Sequence, residues 1–395
     1  MTTIDESEIL AALGLTKRPP DLRFLADLFE AFNRTVPFES ASKIVRNAER
    51  GTLAEKPRTP DVFWRDHEEL GAGGTCFART AAFAGLSEDL GFSPVRILAS
   101  IAAPESHAAL LYGMEGRTWL VDPGYPLAEI RPLESGPFDS AFGSCLLEVE
   151  SQRAILRYET GPERGRLIDY GLLPVPEDRF REAWERTFST PSLFLGSVVL
   201  RRRVEDRVLR WFRAEVSISD AYSRTFVPVI SGRAARLSEV FSIDASLLER
   251  AFAIAGDPDP VGRRARVEAY GETPSAERLF AELATPEGYR RFAAGIGDVE
   301  IEERGPGRFR AVLSGASGET VSEEIELDPD AGILRIRRSA GLTDSGFFLD
   351  RETGTPRLVR FADLPDAREE FLRSDMGRGR LAGLLAMDLL ALTRQ

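Results

Sequence analysis

Residues 105–125, ESHAALLYGMEGRTWLVDPGY, hold one of the chain's two histidines and, fifteen positions later, an aspartate inside an apolar run. The flanks HAALLYG and RTWLVDPGY are short, apolar and bounded by glycine, which predicts two strands joined by a tight turn over Gly113-Met114-Glu115-Gly116. With Met114 and Glu115 as the loop residues, Leu111 faces Thr118, Ala109 faces Leu120 and His107 faces Asp122. Directly opposed side chains share a face with Cβ atoms roughly 4.5–5.5 Å apart, within reach of an imidazole–carboxylate hydrogen bond. A slip of one residue would send the two groups to opposite faces.

A His–Asp pair needs a third group before it can act as a nucleophilic centre, because an aspartate that merely orients a core histidine is a common arrangement. Of the two cysteines, Cys76 sits in LGAGGTCFARTAAFAGLSEDLGF, where Gly71, Gly73 and Gly74 precede an Ala-rich helical pattern over 77–90 that ends at Gly91. A thiol at a helix N-terminus lies at the positive end of the helix dipole, which favours the nucleophilic thiolate. The competing reading of Cys76 is a small buried hydrophobe. Cys145 opens an apolar strand and carries no expected role; His67, in FWRDHEEL, is expected to be a solvated surface residue. No cysteine or histidine has a partner at metal-ligand spacing, so no metal is expected.

Bulk properties narrow the classes. The formal net charge of −12 disfavours a nucleic-acid partner, and LRRRVEDRVLRWFRAEV reads as a locally basic, solvated hairpin. Two cysteines give no disulfide framework, which fits a cytoplasmic location. MTTIDESEILAALGL lacks the features of a signal peptide, and LAGLLAMDLLAL is too short to span a bilayer, so no membrane partner is expected.

The patterns order the chain into a helical subdomain over 1–93, a strand-rich subdomain over 94–200 and a strand-then-helix segment over 201–255. A Gly/Pro-rich and charged linker is expected over 256–273, and a further α+β domain over 274–395.

In that order, helical segment, cysteine after glycines, then His and Asp on strands, the chain resembles the arylamine N-acetyltransferase family. IDESEILAALGL is similar to the family's opening helix, TVPFES to its PFEN segment, GGTCF to its RGGxCxE loop and LVDPGY to its VDVGFG strand. The resemblance covers about residues 4–255. It implies an α+β fold with a helical subdomain, a β-barrel subdomain and an α/β lid. It also implies a Cys76–His107–Asp122 triad, acetyl-CoA as co-substrate, and an arylamine or hydrazine-type acceptor.

Position by position, Phe38 and Tyr125 match aromatic residues of the acceptor pocket. Glu39 matches a glutamate that supports the nucleophile loop through an arginine, but Ala72 stands at that arginine's place. Arg79 is the expected substitute, paired with Glu39. The stretch from Pro274 resembles START-like helix-grip domains, which implies a possible apolar ligand there. The same triad also suits an amide-forming biosynthetic acyltransferase with a larger acyl donor, a transglutaminase-like hydrolase, or a degenerate ligand-binding protein.

Overall fold

The computed structural model describes residues 5–124, 129–140, 142–161, 163–189, 192–204, 207–212, 215–219, 223–228, 233–256, 265–271, 276–293, 298–314, 320–338, 344–350 and 357–364. The chain divides into two units, the first comprising residues 1–159, 166–216 and 229–261 and the second the remainder.

The first unit opens with α1 (Glu6–Ala12), α2 (Leu22–Thr35), a two-residue strand β1 (Phe38–Glu39), α3 (Ala41–Glu49), α4 (Pro60–Leu70) and α5 (Cys76–Asp89). Asp21 caps α2 by accepting from the Phe24 amide at 2.6 Å. The i, i+4 series Phe24, Leu28 and Phe32, with Leu25 and Phe29, turns inward and is fully buried.

α5 is buried almost all round from Cys76 to Ala84, so it is the central helix rather than an amphipathic surface one. Phe83 meets Phe32 edge-on at 5.2 Å and Phe29 at 5.9 Å. Truncating such a ring to Ala costs about 3–5 kcal/mol. The helix stops where the sequence predicts, with Gly91 at φ +88°.

An antiparallel sheet follows: β2 (Val95–Ser100), β3 (His107–Met114), β4 (Arg117–Val121), β5 (Arg131–Pro132), β6 (Gly136–Ser140), β7 (Gly143–Val149), β8 (Arg153–Tyr158) and β9 (Leu167–Gly171). Over the stretch where a β-barrel subdomain is expected, the strands form one eight-stranded sheet with pairings that run β5-β4-β3-β2-β9-β8-β7-β6. After it come α6 (Glu177–Ser189), α7 (Leu193–Gly196), a hairpin of β10 (Leu200–Val204) and β11 (Arg207–Phe212), and, beyond β12 (Glu215–Ser219) and the second unit's β13 (Ser223–Pro228), α8 (Arg233–Phe241) and α9 (Ala245–Ala255). Strand β10 pairs with β1 on one side and β11 on the other, so Phe38 lies opposite Arg201.

The β3–β4 register corrects the sequence reading. Leu111 pairs with Leu120 and Gly113 with Thr118, so the loop residues are Glu115 and Gly116, two positions' sum away from the expected pairing. Both have positive φ, +51° and +72°, as a two-residue hairpin turn requires. Asp122 thereby becomes a diagonal rather than a direct neighbour of His107. A shift of two preserves the side-chain parity that a shift of one would have broken.

In the second unit β14 (Ala265–Gly271) occupies the later half of the expected linker and pairs with β13 and with β20 (Arg357–Leu364). The Gly/Pro-rich composition that suggested a linker misses the alternating run ARVEAYG. Helices α10 (Ala276–Leu283) and α11 (Pro286–Ala293) precede β15 (Asp298–Gly305), β16 (Arg308–Ser314), β17 (Thr320–Asp328), β18 (Ile333–Arg338), β19 (Asp344–Asp350) and β20.

Phe309, Ala311 and Leu313 alternate inward on β16, and Tyr289 of α11 packs on Phe309 at 5.4 Å. The unit is β-rich. The closing helix expected of a helix-grip domain lies outside the described residues.

Candidate functional site

Two short segments position the site. The loop Gly71–Thr75 leads into α5, with the Glu39 amide donating to the Gly74 carbonyl at 3.1 Å. A Cβ on Gly73 would fall 1.7 Å from the Pro37 oxygen, so only glycine allows β1 this close. Cys76 is the first residue of α5, buried with 7% of its surface exposed. Its sulfur lies 3.7 Å from the Ser106 carbonyl, immediately before His107 at the start of β3.

The structure brings the three expected residues together. His107 Nε2 is 2.8 Å from Asp122 Oδ2, and the ring also hydrogen-bonds the Cys76 side chain. With Nε2 turned to the carboxylate, Nδ1 is the nitrogen left for sulfur. Asp122 is fully buried; its Oδ1 accepts from the Gly124 amide at 3.0 Å and its Oδ2 from the Tyr170 hydroxyl at 2.8 Å. Burial disfavours the imidazolium, but the charge and hydrogen bond of Asp122, with the contribution of Cys76, raise His107 to about 10.

Gly124 is a site residue that sequence reasoning missed. A Cβ there would lie 2.6 Å from Cys76 Cβ and 2.9 Å from His107 Cε1. The backbone at Gly124 therefore walls the sulfur and the ring at van der Waals distance. Its signal in the sequence is the glycine two positions after Asp122 in LVDPGY, the stretch similar to the VDVGFG strand.

The remaining expected residues divide. Phe38 packs edge-on against Phe194 at 5.4 Å and lines a cleft shared with Gly124. Tyr125 lies outside the described residues. Glu39 is fully buried and accepts from the Ser42 amide at 2.8 Å and the Ser42 hydroxyl, both on the first turn of α3.

Arg79 does not pair with Glu39. Its Nε donates to the Pro123 carbonyl at 2.6 Å, Nη1 to the Val36 carbonyl at 2.5 Å and Nη2 to Asn33 Oδ1 at 2.8 Å, while its guanidinium stacks 4.7 Å from the Phe32 ring. It thus ties α5 to the ends of α2 and β4. Burial lowers Arg79 to about 9, with Asp122 and Glu39 acting against that and Arg201 with it.

The cation at the nucleophile loop comes from another residue. Buried Arg58 donates through Nη2 to the Gly73 carbonyl at 2.6 Å and through Nη1 to Asp66 at 3.0 Å, with Phe63 beneath it at 4.9 Å. Lys43 is also buried, donating to Thr187 at 2.9 Å; burial lowers it to about 8, partly offset by the charge of Cys76. His67 is half-buried rather than solvated. Its Nδ1 contacts the Ala72 carbonyl at 3.2 Å, and burial lowers it to about 4.

Residues 21–141 match a protein-family model described as N-acetyltransferase. Comparison with curated proteins gave no match. Among solved structures, the chain is similar to the arylamine N-acetyltransferase of Mycobacterium tuberculosis at 19% identity, TM-score 0.56, over 65% of this chain and 100% of that one. It is likewise similar to a Mycobacterium smegmatis N-arylamine acetyltransferase at 20% identity, TM-score 0.55, over 64% and 99%. The arylamine N-acetyltransferase of Mycobacterium marinum, whose structure is in complex with CoA, aligns at 17% identity, TM-score 0.54, over 64% and 98%. Among the described residues no helix is long and apolar enough to cross a membrane. With the family match on the segment that holds Cys76, His107 and Asp122, and with the fold of these proteins, the chain is an enzyme of the acyltransferase class.

Proposed function

We propose that the chain transfers an acetyl group from acetyl-CoA to an arylamine or hydrazine-type amine through an acyl-cysteine on Cys76. The observation that carries this reading is the continuous hydrogen-bonded series from Cys76 through His107 to Asp122 at the first residue of a buried helix. With the imidazole raised to about 10, His107 is an imidazolium at neutral pH and faces the Cys76 sulfur as a charged partner.

In the first half, the Cys76 thiolate attacks the thioester carbonyl, the C–S bond to CoA breaks, and the leaving CoA sulfur takes the His107 proton. In the second half, an amine attacks the acyl-cysteine, His107 Nδ1 removes its proton, and the Cys76 thiolate leaves as the amide forms. Sulfur and ring return to the starting ion pair, and the sum is acetyl-CoA plus amine giving amide plus CoA. Asp122 holds the ring's orientation and stabilises its protonated form, while Tyr170 and the Gly124 amide hold Asp122. The Cys76 backbone N–H, at the start of α5, is one donor for the oxyanion.

Aromatic amines and hydrazines suit this site because their nitrogen is unprotonated at neutral pH. Intact-mass analysis after mixing with acetyl-CoA tests the reading. An acetyl increment that is absent in Cys76→Ser and present in Cys145→Ser is expected. Labelling retained in Cys76→Ser would refute it.

A further inference from the structure

The connection from β2 to β3, residues 101–106, ends directly before His107. Within it Glu105 has φ +52°, a left-handed conformation unfavourable for a residue with a Cβ. Such a residue persists only where its surroundings over-determine it, and these positions cluster at functional sites. The Glu105 amide donates to Ser100 Oγ at 3.1 Å and the Ile101 amide donates to Ser106 Oγ at 3.3 Å, so the connection folds back on the end of β2. The next carbonyl along the chain, that of Ser106, is the one 3.7 Å from the Cys76 sulfur.

Helix α6 grips the Glu105 side chain. Arg186 Nη2 donates to Glu105 Oε2 at 2.7 Å, and Arg179 Nη2 donates to the same oxygen while its Nη1 reaches Glu182 at 3.3 Å. Seven residues apart, the two arginines stand two turns apart on one side of the helix. From a neighbouring face of α6, Phe180 and Trp184 pack on the ring of Phe77, the residue after Cys76, at 5.4 and 6.4 Å. One helix therefore holds the chain just after the sulfur by ring contacts and just before the imidazole by ion pairs. The side chains of Glu105, Arg179 and Arg186 are 38%, 36% and 45% exposed, and ion pairs so exposed add little to the stability of a fold. Their effect is local.

We propose that Glu105 is a positioning residue for the Cys76–His107 pair: clamped by Arg179 and Arg186, it maintains a strained turn whose relaxation would carry the Ser106 carbonyl and the His107 ring away from the sulfur. Its purpose rests on the acyl-transfer reading above. Glu105 acts through its two successors and not by contact with the reacting atoms. His107 is open to this influence because it forms the first rung of the β2–β3 ladder, opposite Ala99, so no earlier rung resists a turn of the chain at residue 105.

Alkylation of Cys76 by iodoacetamide in the full chain, located by peptide mapping, reads the placement without turnover. Glu105→Gln should slow it about tenfold, the scale of roughly half an ångström where a 1 Å misplacement costs about 10²-fold. The paired change Arg179→Gln with Arg186→Gln should slow it as much. Glu105→Gly lacks the carboxylate but adopts positive φ freely, so it should lose only about two- to threefold. The chain has only two histidines, so NMR follows the His107 ring directly. Its resonances should shift in Glu105→Gln and in the arginine pair and stay near native in Glu105→Gly, with urea midpoints little changed throughout.

Native alkylation rates in Glu105→Gln and in the arginine pair would overturn the proposal. So would a Glu105→Gly variant as slow as Glu105→Gln, because charge and not backbone conformation would then be acting on the sulfur. Should Glu105→Gln fail to fold, the arginine pair puts the same question from half-exposed positions. The expected slowing with no acetyl adduct on Cys76 of the native sequence would refute the acetyl-transfer reading alone. An acetyl adduct with native alkylation rates in the variants would refute this inference alone.

Discussion

Cys76 and Cys145 are both buried thiols, 7% and 1% exposed, yet their surroundings set them to opposite chemistry. Cys145 lies within a strand, 3.7 Å from the Gly143 carbonyl and from the Ser140 hydroxyl, and burial raises it to about 11. Cys76 begins a helix, faces an imidazole held by a buried carboxylate, and has a glycine backbone for its opposite wall. Burial alone therefore says nothing about reactivity. What separates the two is a charged partner and an oriented helix end.

The sharpest way to break this contrast is to remove its members. Cys76→Ser or His107→Ala should each lower amine acetylation by on the order of 10³-fold or more, with the double variant little worse than either, because the groups act as a unit. Cys145→Ser should leave turnover unchanged. Steady-state rates with acetyl-CoA and an arylamine decide this, and additive losses at 76 and 107 would show that the two act separately.

Gly124→Ala tests the wall. The new methyl would lie 2.6 Å from Cys76 Cβ and 2.9 Å from its Cα, where one contact is the backbone of α5 and cannot swing aside. Overpacking of this kind costs about 1–3 kcal/mol, and a displacement near 1 Å at the reacting atoms costs about 10²-fold in rate. Urea unfolding and the rate of acetyl-enzyme formation read the two effects. Full acylation in a stable Gly124→Ala variant would mean that the sulfur and ring have slack the distances do not suggest.

How much of this was legible follows from the same particulars. The face shared by His107 and Asp122 could be read because parity survives a two-residue register shift. The direct pairing could not, because Met114 and Gly116 are both acceptable turn residues and only the positive φ at Glu115 and Gly116 decides between them. Gly91 as a helix stop was readable from local chemistry.

Arg58, Asn33 and Tyr170 were not readable. They lie 18, 43 and 94 positions from Cys76 in the sequence, and each reaches the site through tertiary packing that leaves no periodic trace. The expected Arg79–Glu39 pair failed for a related reason. Backbone carbonyls at Val36 and Pro123 take the guanidinium, and acceptors of that kind are invisible in side-chain patterns. The basic hairpin at β10–β11 misled in the same way. Its charges suggested solvent on both faces, but Leu200, Val208 and Trp211 are buried and Arg201 and Arg203 line a cleft.

A smaller effect concerns pH. His107 is raised from an ordinary value near 6.5 to about 10, so the native state holds a proton that the unfolded chain releases between those values. Its contribution to stability is complete below about pH 6.5 and is lost as pH rises through 10. Lys43, lowered to about 8, acts in the opposite direction, and Cys145, raised to about 11, in the same direction. The difference in urea midpoint between the native sequence and His107→Gln isolates the imidazole. It should shrink steadily between pH 7 and 10, and a difference independent of pH would show that the imidazolium gains nothing from its neighbours.

The smallest effect returns to the second cysteine. With its thiol raised to about 11, Cys145 has almost no thiolate at pH 7.5, and its contacts are a carbonyl and a hydroxyl rather than a cation. A thiolate, not a thiol, attacks a disulfide reagent, so in the native protein at pH 7.5 a chromogenic disulfide should modify Cys76 alone, with Cys145 appearing on unfolding or at higher pH. Peptide mapping after partial reaction distinguishes the two thiols. Raising the pH from 7.5 to 9.5 should bring Cys145 labelling up from near zero, because a thiol raised to about 11 begins to ionise over that range. Equal native-state labelling of both thiols at pH 7.5 would erase the contrast, and the helix terminus and imidazole would then have no measurable hold over the sulfur.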